Sequence, residues 1–303
     1  MGAIFYWVLN MSILGSVTGI LILLFRRIRI LPRFGVYLLW MLPLVRFWIP
    51  VGIANQYSLL NFISHFTTKT VVVRKSVFEY TMTNAIQAAE KYFPIEFKTE
   101  LLVDVFHIAG MIWLIVAVGA IISSVTLYVV TKSALKNANH IKGNIYISDK
   151  VLSPAVYGIL KPKIILPANI SDANIDYILR HEQVHIRRRD NLWRIIAVIT
   201  ACVHWFNPLI WVFLKLFFTD MELACDAGVL KHLADDDKKG YVAALLACSA
   251  GKSYYASAFG GSKIRLRIEN ILSYKKLTLL SSICFTAFFV VITVAIITNA
   301  VGG

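Results

Sequence analysis

Charge is scarce in this chain. Asp, Glu, Lys and Arg make up 16% of its 303 residues, where a soluble domain carries about 25%. Apolar residues fill 58% of the sequence, and the mean hydropathy is +0.67. That balance excludes an ordinary soluble domain and points to a membrane protein. Acids are the rarer sign, with 17 Asp and Glu against 31 Lys and Arg. Cysteine is sparse too. Cys202, Cys225, Cys248 and Cys284 include no Cys-x-x-Cys pair, which argues against a disulfide framework and leaves them as small packed residues. The sequence also lacks internal repeats, low-complexity segments and a cleavable signal peptide, so the first apolar run reads as an anchor. Nothing resembles a nucleic-acid reading module, and no direct nucleic-acid binding is expected despite the net charge of +14.

What the chain does have is long apolar runs. A spanning helix needs roughly 20 such residues. Residues 4–25, 107–131 and 277–298 qualify, and 34–54 reads as a fourth span despite Pro43, Arg46 and Pro50. A charge at mid-depth in lipid is costly, so Arg46 is expected to face a neighbouring helix or water. Basic residues gather on the cytoplasmic side of a membrane. Arg26, Arg27, Arg29 and Arg33 follow the first span, residues 55–104 hold equal numbers of acids and bases, and 132–276 holds 21 bases against 12 acids. The expected layout has spans 1 and 2 in 1–54, an extracytoplasmic loop at 55–104 and span 3 in 105–131. A cytoplasmic domain follows at 132–276, then span 4 and a short tail in 277–303. Both termini lie outside the plasma membrane. The loop holds a plausible amphipathic helix around 77–92. The cytoplasmic domain opens with two short strands, "NIYISD" and "GILKPKIILP", which either pair with a substrate backbone or only pack.

The chemistry lies in "RHEQVHIRRRDNLWR", residues 180–194. Ser171 is placed to cap a helix there, with Asp172 and Asp176 in its early turns. His181 and His185 then sit one turn apart on one face, where both imidazoles can hold a single Zn²⁺. Zinc polarises a scissile carbonyl and acidifies a water molecule. Glu182 is positioned to take that water's proton and pass it to the leaving amine. "MELACD", residues 221–226, offers Glu222 as the third ligand, with Asp226 one turn on to accept the free N–H of a ligating imidazole. Asp190 is expected to point away and pair with the neighbouring arginines, and Arg187, Arg188 and Arg189 to meet lipid headgroups. His204 reads as a turn or interface residue. For stabilising the oxyanion, His140, His232 and Tyr241 all remain open.

Between the two motifs runs an apolar stretch, 195–218, long enough to cross a bilayer. A crossing would leave Glu222 about 30 Å from the histidines, on the wrong side of the membrane. Asn207-Pro208 supplies a break instead. The expectation is a re-entrant helical hairpin that turns near Trp205–Pro208 and returns. Helix lengths of about 30 Å from His185 to Trp205 and about 21 Å from Pro208 to Glu222 do not match, so a bend, or a turn starting earlier, must absorb the difference.

Taken together, "SPAVYGILKPKIILP", "HEQVHIRRRDNLWR", "WFNPLIW" and "MELACDAGVL" resemble, in order, the BlaR/MecR-type signal-transducing membrane metallopeptidases. The close likeness covers about 144–230. It implies a mainly α integral membrane protein with four spans and a cytoplasmic gluzincin-like α+β zinc protease domain. On that likeness His181, His185 and Glu222 hold Zn²⁺ and Glu182 is catalytic. It further implies that an external signal activates cleavage of a cytoplasmic winged-helix transcriptional repressor, the expected protein substrate. Self-cleavage is implied between the protease domain and the last span, here around Ser257, Ala258 and Phe259. Membrane lipid and a second copy of the chain are the other expected partners. The β-lactam sensors carry a penicillin-binding domain after the last span, and the sequence stops a few residues beyond that point, so β-lactam sensing by an attached domain is not expected. Two other readings use the same residues. One is a quality-control or prenyl-protein gluzincin, and the other is a non-catalytic receptor with a structural zinc.

Overall fold

A computed structural model describes residues 1–28, 31–49, 52–66, 69–76, 79–84, 100–136, 138–250, 264–276 and 278–299. Among them, three helices are long and apolar enough to cross a membrane: Gly2–Arg26, Asp104–Ser133 and Leu279–Ile297. The chain divides into two compact units. One is Met1–Ile121 with Ile199–Lys215 and Thr278–Gly303, and the other is Ile122–Val198 with Leu216–Leu277.

In the first unit the stretch read as span 2 is not one helix. It forms Arg33–Leu39 and Met41–Trp48, joined at Trp40. Pro43 has no N–H to give Leu39, so the backbone ladder cannot run through. Ile49, just before Pro50, is extended at φ −126°, ψ 99°, as the residue preceding a proline prefers. Arg46 is buried at 1% exposure. Its guanidinium donates to Ile296 O at 3.0 Å, Thr298 O at 2.8 Å and Asn299 Oδ1 at 2.8 Å. It therefore caps the carboxyl end of helix Leu279–Ile297, where carbonyls lack intrahelical partners and a cation suits the dipole. The amphipathic helix expected around 77–92 is not found where the chain is described. Glu79–Asn84 is a strand (β2) paired antiparallel with Lys69–Ser76 (β1), and 85–92 lie outside the described residues.

The same unit holds the tip of the hairpin. Helix Asp190–Val203 ends, the chain turns through 204–207, and helix Pro208–Leu230 begins. Asn207 caps the new helix by accepting from Leu209 N at 3.0 Å. Its amide also donates to Ser12 Oγ at 2.8 Å and Ser16 Oγ at 2.7 Å on helix Gly2–Arg26. His204 Nε2 lies 3.1 Å from Phe47 O, in keeping with a turn residue. Gly19 faces the Phe213 ring so closely that a Cβ there would lie 2.2 Å from it. Small residues at helix contacts let backbones approach in lipid, where no hydrophobic force drives them together.

The second unit pairs a small sheet with helices. Strands Asn139–Lys142 (β3), Ile145–Ser148 (β4), Ala155–Tyr157 (β5) and Lys163–Pro167 (β6) lie in the order β3-β4-β6-β5. The β4–β6 pair is parallel and the others are antiparallel. Val156, Ile164 and Leu166 on one face pack against Ile178 and Ala244, which seats helix Asp172–Arg188 on the sheet. Ser171 occupies the N-cap position of that helix, but its side chain makes no capping bond. Asn191 Nδ2 donates to Val156 O at 3.0 Å and Gly158 O at 3.1 Å, tying β5 to the residues just after the histidine helix.

Asn207 combines a helix cap with two interhelical hydrogen bonds. Asn207→Ala is expected to cost about 1–2 kcal/mol and to lower the melting temperature of the detergent-solubilised chain. An unchanged melting curve would show that the cap and its serine partners are dispensable.

Candidate metal centre

Helix Asp172–Arg188 ends abruptly. Arg189 adopts φ 56°, ψ 39°, left-handed and without glycine, and Asp190 starts a new helix. Of the two ways to absorb the length mismatch, a bend or an earlier turn, the chain takes the bend. Counted from Asp190, the first arm of 14 residues is about 21 Å long, matching the distance along the second arm from Pro208 to Glu222. The second arm then approaches the histidine helix through small side chains. A Cβ on Gly228 would meet Val184 at 3.0 Å, and Cys225 Sγ lies 3.2 Å from His181 O. Arg188 and Arg194 pin the arm further. Arg188 donates to Met221 O at 3.0 Å, and Arg194 donates to Glu222 Oε1 at 2.9 Å.

The structure thereby brings His181, His185 and Glu222 together. The two imidazole Nε2 atoms are 3.2 Å apart. Glu222 Oε2 is 3.4 Å from His181 Nε2, and Oε1 is 3.7 Å from His185 Nε2. Ligands about 2.0–2.1 Å from a tetrahedral ion are separated by about 3.3 Å, so the three donors stand near the edges such an ion demands. Cys225 Sγ lies within 4.8 Å of a nitrogen on each histidine and is a second donor of suitable chemistry. Its sulfur lies 3.2 Å from the His181 carbonyl and within hydrogen-bonding reach of both imidazoles, while the Glu222 oxygens face both Nε2 atoms. Glu182 follows His181 on the same helix and is buried at 7% exposure. Its carboxylate has no hydrogen-bond partner among the described residues.

The groups behind the imidazoles differ from expectation. Asp190 does not point away. The break at Arg189 turns it back, fully buried, so that its carboxylate accepts from His185 Nδ1 at 2.6 Å. The pairing with an arginine does occur, and its partner is Arg188, so Arg188 is engaged here rather than at a lipid surface. Asp226 reaches His181 through an intermediary. His181 Nδ1 is 2.8 Å from the Tyr241 hydroxyl, which donates to Asp226 Oδ1 at 2.7 Å, while the direct separation is 3.4 Å. Tyr241 is therefore held behind His181 rather than free for an oxyanion. Both Nδ1 atoms are occupied, and the Nε2 atoms are left facing inward, the tautomer a metal needs.

Arg267, on the helix at 264–272, escaped the sequence reading altogether. Its Nε and Nη2 grip Asp226 at 2.8 and 2.7 Å, and Nη1 lies 3.5 Å from Glu222 Oε2. No local motif marks it, because 41 residues separate it from Asp226. Ser257, Ala258 and Phe259, the expected self-cleavage region, lie outside the described residues.

Charges follow this geometry. Burial raises the Tyr241 phenol well above its usual range, so it stays a donor. Burial alone would raise the Asp226 carboxyl, but Arg267 reverses that and holds it at about 2. Burial works against charged imidazoles at His181 and His185, yet the surrounding acidic groups, with Cys225 foremost, carry both well above their usual value. Glu222 is held well below its own, since the hydrogen bonds from both histidines outweigh its burial. The protons sit where a metal ion would bind.

A buried pair of histidines, an adjacent glutamate and a returning carboxylate, on a chain with long apolar helices, define a membrane protein of metallopeptidase type. Residues 6–271 match the family model for the BlaR1 peptidase M56, and the chain belongs to that family. It is 41% identical over 95 residues to the regulatory protein BlaR1 of Bacillus licheniformis, covering 30% of this chain and 15% of that protein. It is 29% identical over 138 residues to the methicillin resistance mecR1 protein of Staphylococcus aureus, covering 42% and 24%. A BlaR1 regulatory protein of Staphylococcus aureus is 26% identical over 169 residues, covering 50% and 29%. The chain thus spans less than a third of the length of these relatives.

Because metal must displace protons from His181 and His185, binding is expected to release at least one proton per ion at neutral pH and to weaken as pH falls. Titration calorimetry in buffers of different ionisation enthalpy reads this directly, and a heat independent of buffer would contradict it. Asp190→Asn should weaken metal binding about 10–100-fold. Unchanged competition against a chelator would remove Asp190 from the support of His185.

Proposed function

We propose that this chain is an integral membrane zinc endopeptidase of the signal-transducing, regulatory type. The observation that carries the proposal is the convergence of His181 Nε2, His185 Nε2 and the Glu222 carboxylate, with each imidazole fixed from behind. Two neutral imidazoles and one carboxylate are a donor set suited to Zn²⁺ with a position left open. Zinc, when bound, acidifies a water molecule and polarises the scissile carbonyl. Glu182 accepts the proton of the attacking water and delivers it to the leaving amine nitrogen. Tyr241 with Asp226, and Asp190 with Arg188, keep the two rings in place, so no ring need reorient as charge develops.

The charge distribution supports four spans with both termini outside and the 132–276 domain in the cytoplasm. The pair Arg33–Leu39 and Met41–Trp48 serves as the second span, kinked at Trp40. The relatives are named as regulatory proteins, which supports a regulatory role; the proposed substrate is a cytoplasmic winged-helix repressor, with self-cleavage near Ser257, Ala258 and Phe259. A second reading rests on Cys225. If its thiol also joined the ion, four protein ligands would close the centre and leave a structural zinc.

The variant Glu182→Gln separates these readings. It is expected to retain zinc but to lose cleavage of a quenched-fluorescence peptide by about 10²–10⁴-fold, whereas His185→Ala should lose zinc as well. Full cleavage by Glu182→Gln, or a wild-type chain that purifies without bindable zinc, would end the peptidase proposal.

A further inference from the structure

Resting on the peptidase reading above, we infer that Arg267 is a catalytic residue, the group that stabilises the oxyanion through Nη1. Of the three side chains open for that task from the sequence, none has a contact with His181 Nε2, His185 Nε2 or Glu222 among the described residues. Tyr241 is 1% exposed and lies between His181 Nδ1 and Asp226. His140 is exposed on β3, with Nε2 directed to Gly143 O at 2.9 Å. His232 is exposed beyond the end of helix Pro208–Leu230.

Arg267 is held from two sides. The helix at 264–272 carries Ile271, which is fully buried with Val184, Leu245 and Tyr241 in the apolar cluster beneath the site. The guanidinium spends one edge, Nε and Nη2, on both oxygens of Asp226. A planar fork gripped along that edge has a fixed orientation, and the remaining corner, Nη1, is turned to the donor side, 3.5 Å from Glu222 Oε2. Nη2 is itself 3.5 Å from His181 Nε2. The side chain keeps 17% exposure, so the group is reachable.

A cation here is unfavourable to a bound metal ion, since like charges repel at this range. It becomes favourable when negative charge appears beside it. In peptide hydrolysis the water oxygen bonds to the carbonyl carbon, and the carbonyl π pair moves onto oxygen as a full negative charge. The water proton goes to Glu182. Collapse of that adduct re-forms the carbonyl and breaks the C–N bond, and Glu182 returns the proton to the departing nitrogen. Arg267 neither gains nor loses a proton. It donates hydrogen bonds from Nη1 that are strongest when the oxygen is charged, and its fixed orientation means no reorganisation is needed at that moment.

The test uses the full chain in detergent, with Arg267→Gln, Arg267→Lys, Arg267→Gly and Asp226→Asn beside wild type. Three quantities are read: zinc retention against a chelator, kcat and KM on a quenched-fluorescence peptide, and binding of N-phosphoryl-Leu-Trp, whose tetrahedral anion resembles the adduct. Arg267→Gln is expected to lower kcat about 10²–10³-fold, to leave KM within about threefold and to weaken the phosphoramidate by a comparable factor. Arg267→Lys should fall between, and guanidinium ion added to Arg267→Gly should restore part of kcat. A merely structural Arg267 would instead behave as Asp226→Asn does, losing zinc and activity in step. That outcome, or wild-type phosphoramidate binding by Arg267→Gln, overturns the inference while leaving the metal reading intact. A wild-type chain that holds no zinc overturns both.

Discussion

Two imidazole nitrogens held 3.2 Å apart in a buried site are the constraint around which the second unit is arranged. Each would repel the other if charged, and each would be an unsatisfied acceptor if neutral. The structure resolves the conflict from behind. Asp190 holds one ring, Tyr241 with Asp226 holds the other, and Glu222 supplies negative charge in front. The carboxylates are in turn balanced by Arg188, Arg194 and Arg267. Such a buried network is stable only when nearly every member has a partner, because an unpaired charge in low dielectric costs several kcal/mol.

Bringing those members together is a problem of path. The acids come from a segment separated from the histidines by an apolar stretch long enough to reach across a bilayer. Three local features redirect it. Arg189 breaks the first helix in a left-handed conformation, Asn207-Pro208 turns the chain, and Gly228 lets the returning helix sit against Val184. Together they convert a linear apolar run into two arms of equal length whose ends meet.

Much of this was legible because it is local or periodic. His181 and His185 share a face by helical spacing alone, Glu222 and Asp226 repeat that spacing, and a proline after Asn207 breaks a helix in any context. The stretches read as spans at 4–25, 107–131 and 277–298 followed from length and apolarity, and helices long and apolar enough to cross a membrane occur there. What escaped is what local rules cannot carry. Asp190 falls on the wrong face only if the helix continues, and its end at Arg189 leaves no glycine or proline to announce it. Tyr241 inserts between His181 and Asp226 from a distant helix, and Arg267 from a still later one. Pro43 was noticed, but its power to split the stretch read as a second span depended on whether neighbouring helices would hold the chain straight. β2 appears where an amphipathic helix was expected, since short stretches of mixed polarity suit either period.

The grip of Arg46 on Ile296, Thr298 and Asn299 has a mechanical corollary. Sliding the last helix by a single residue would break three bonds to a guanidinium that is buried at 1% exposure. Tugging or twisting at that helix's carboxyl end therefore pulls on Met41–Trp48 through the same guanidinium.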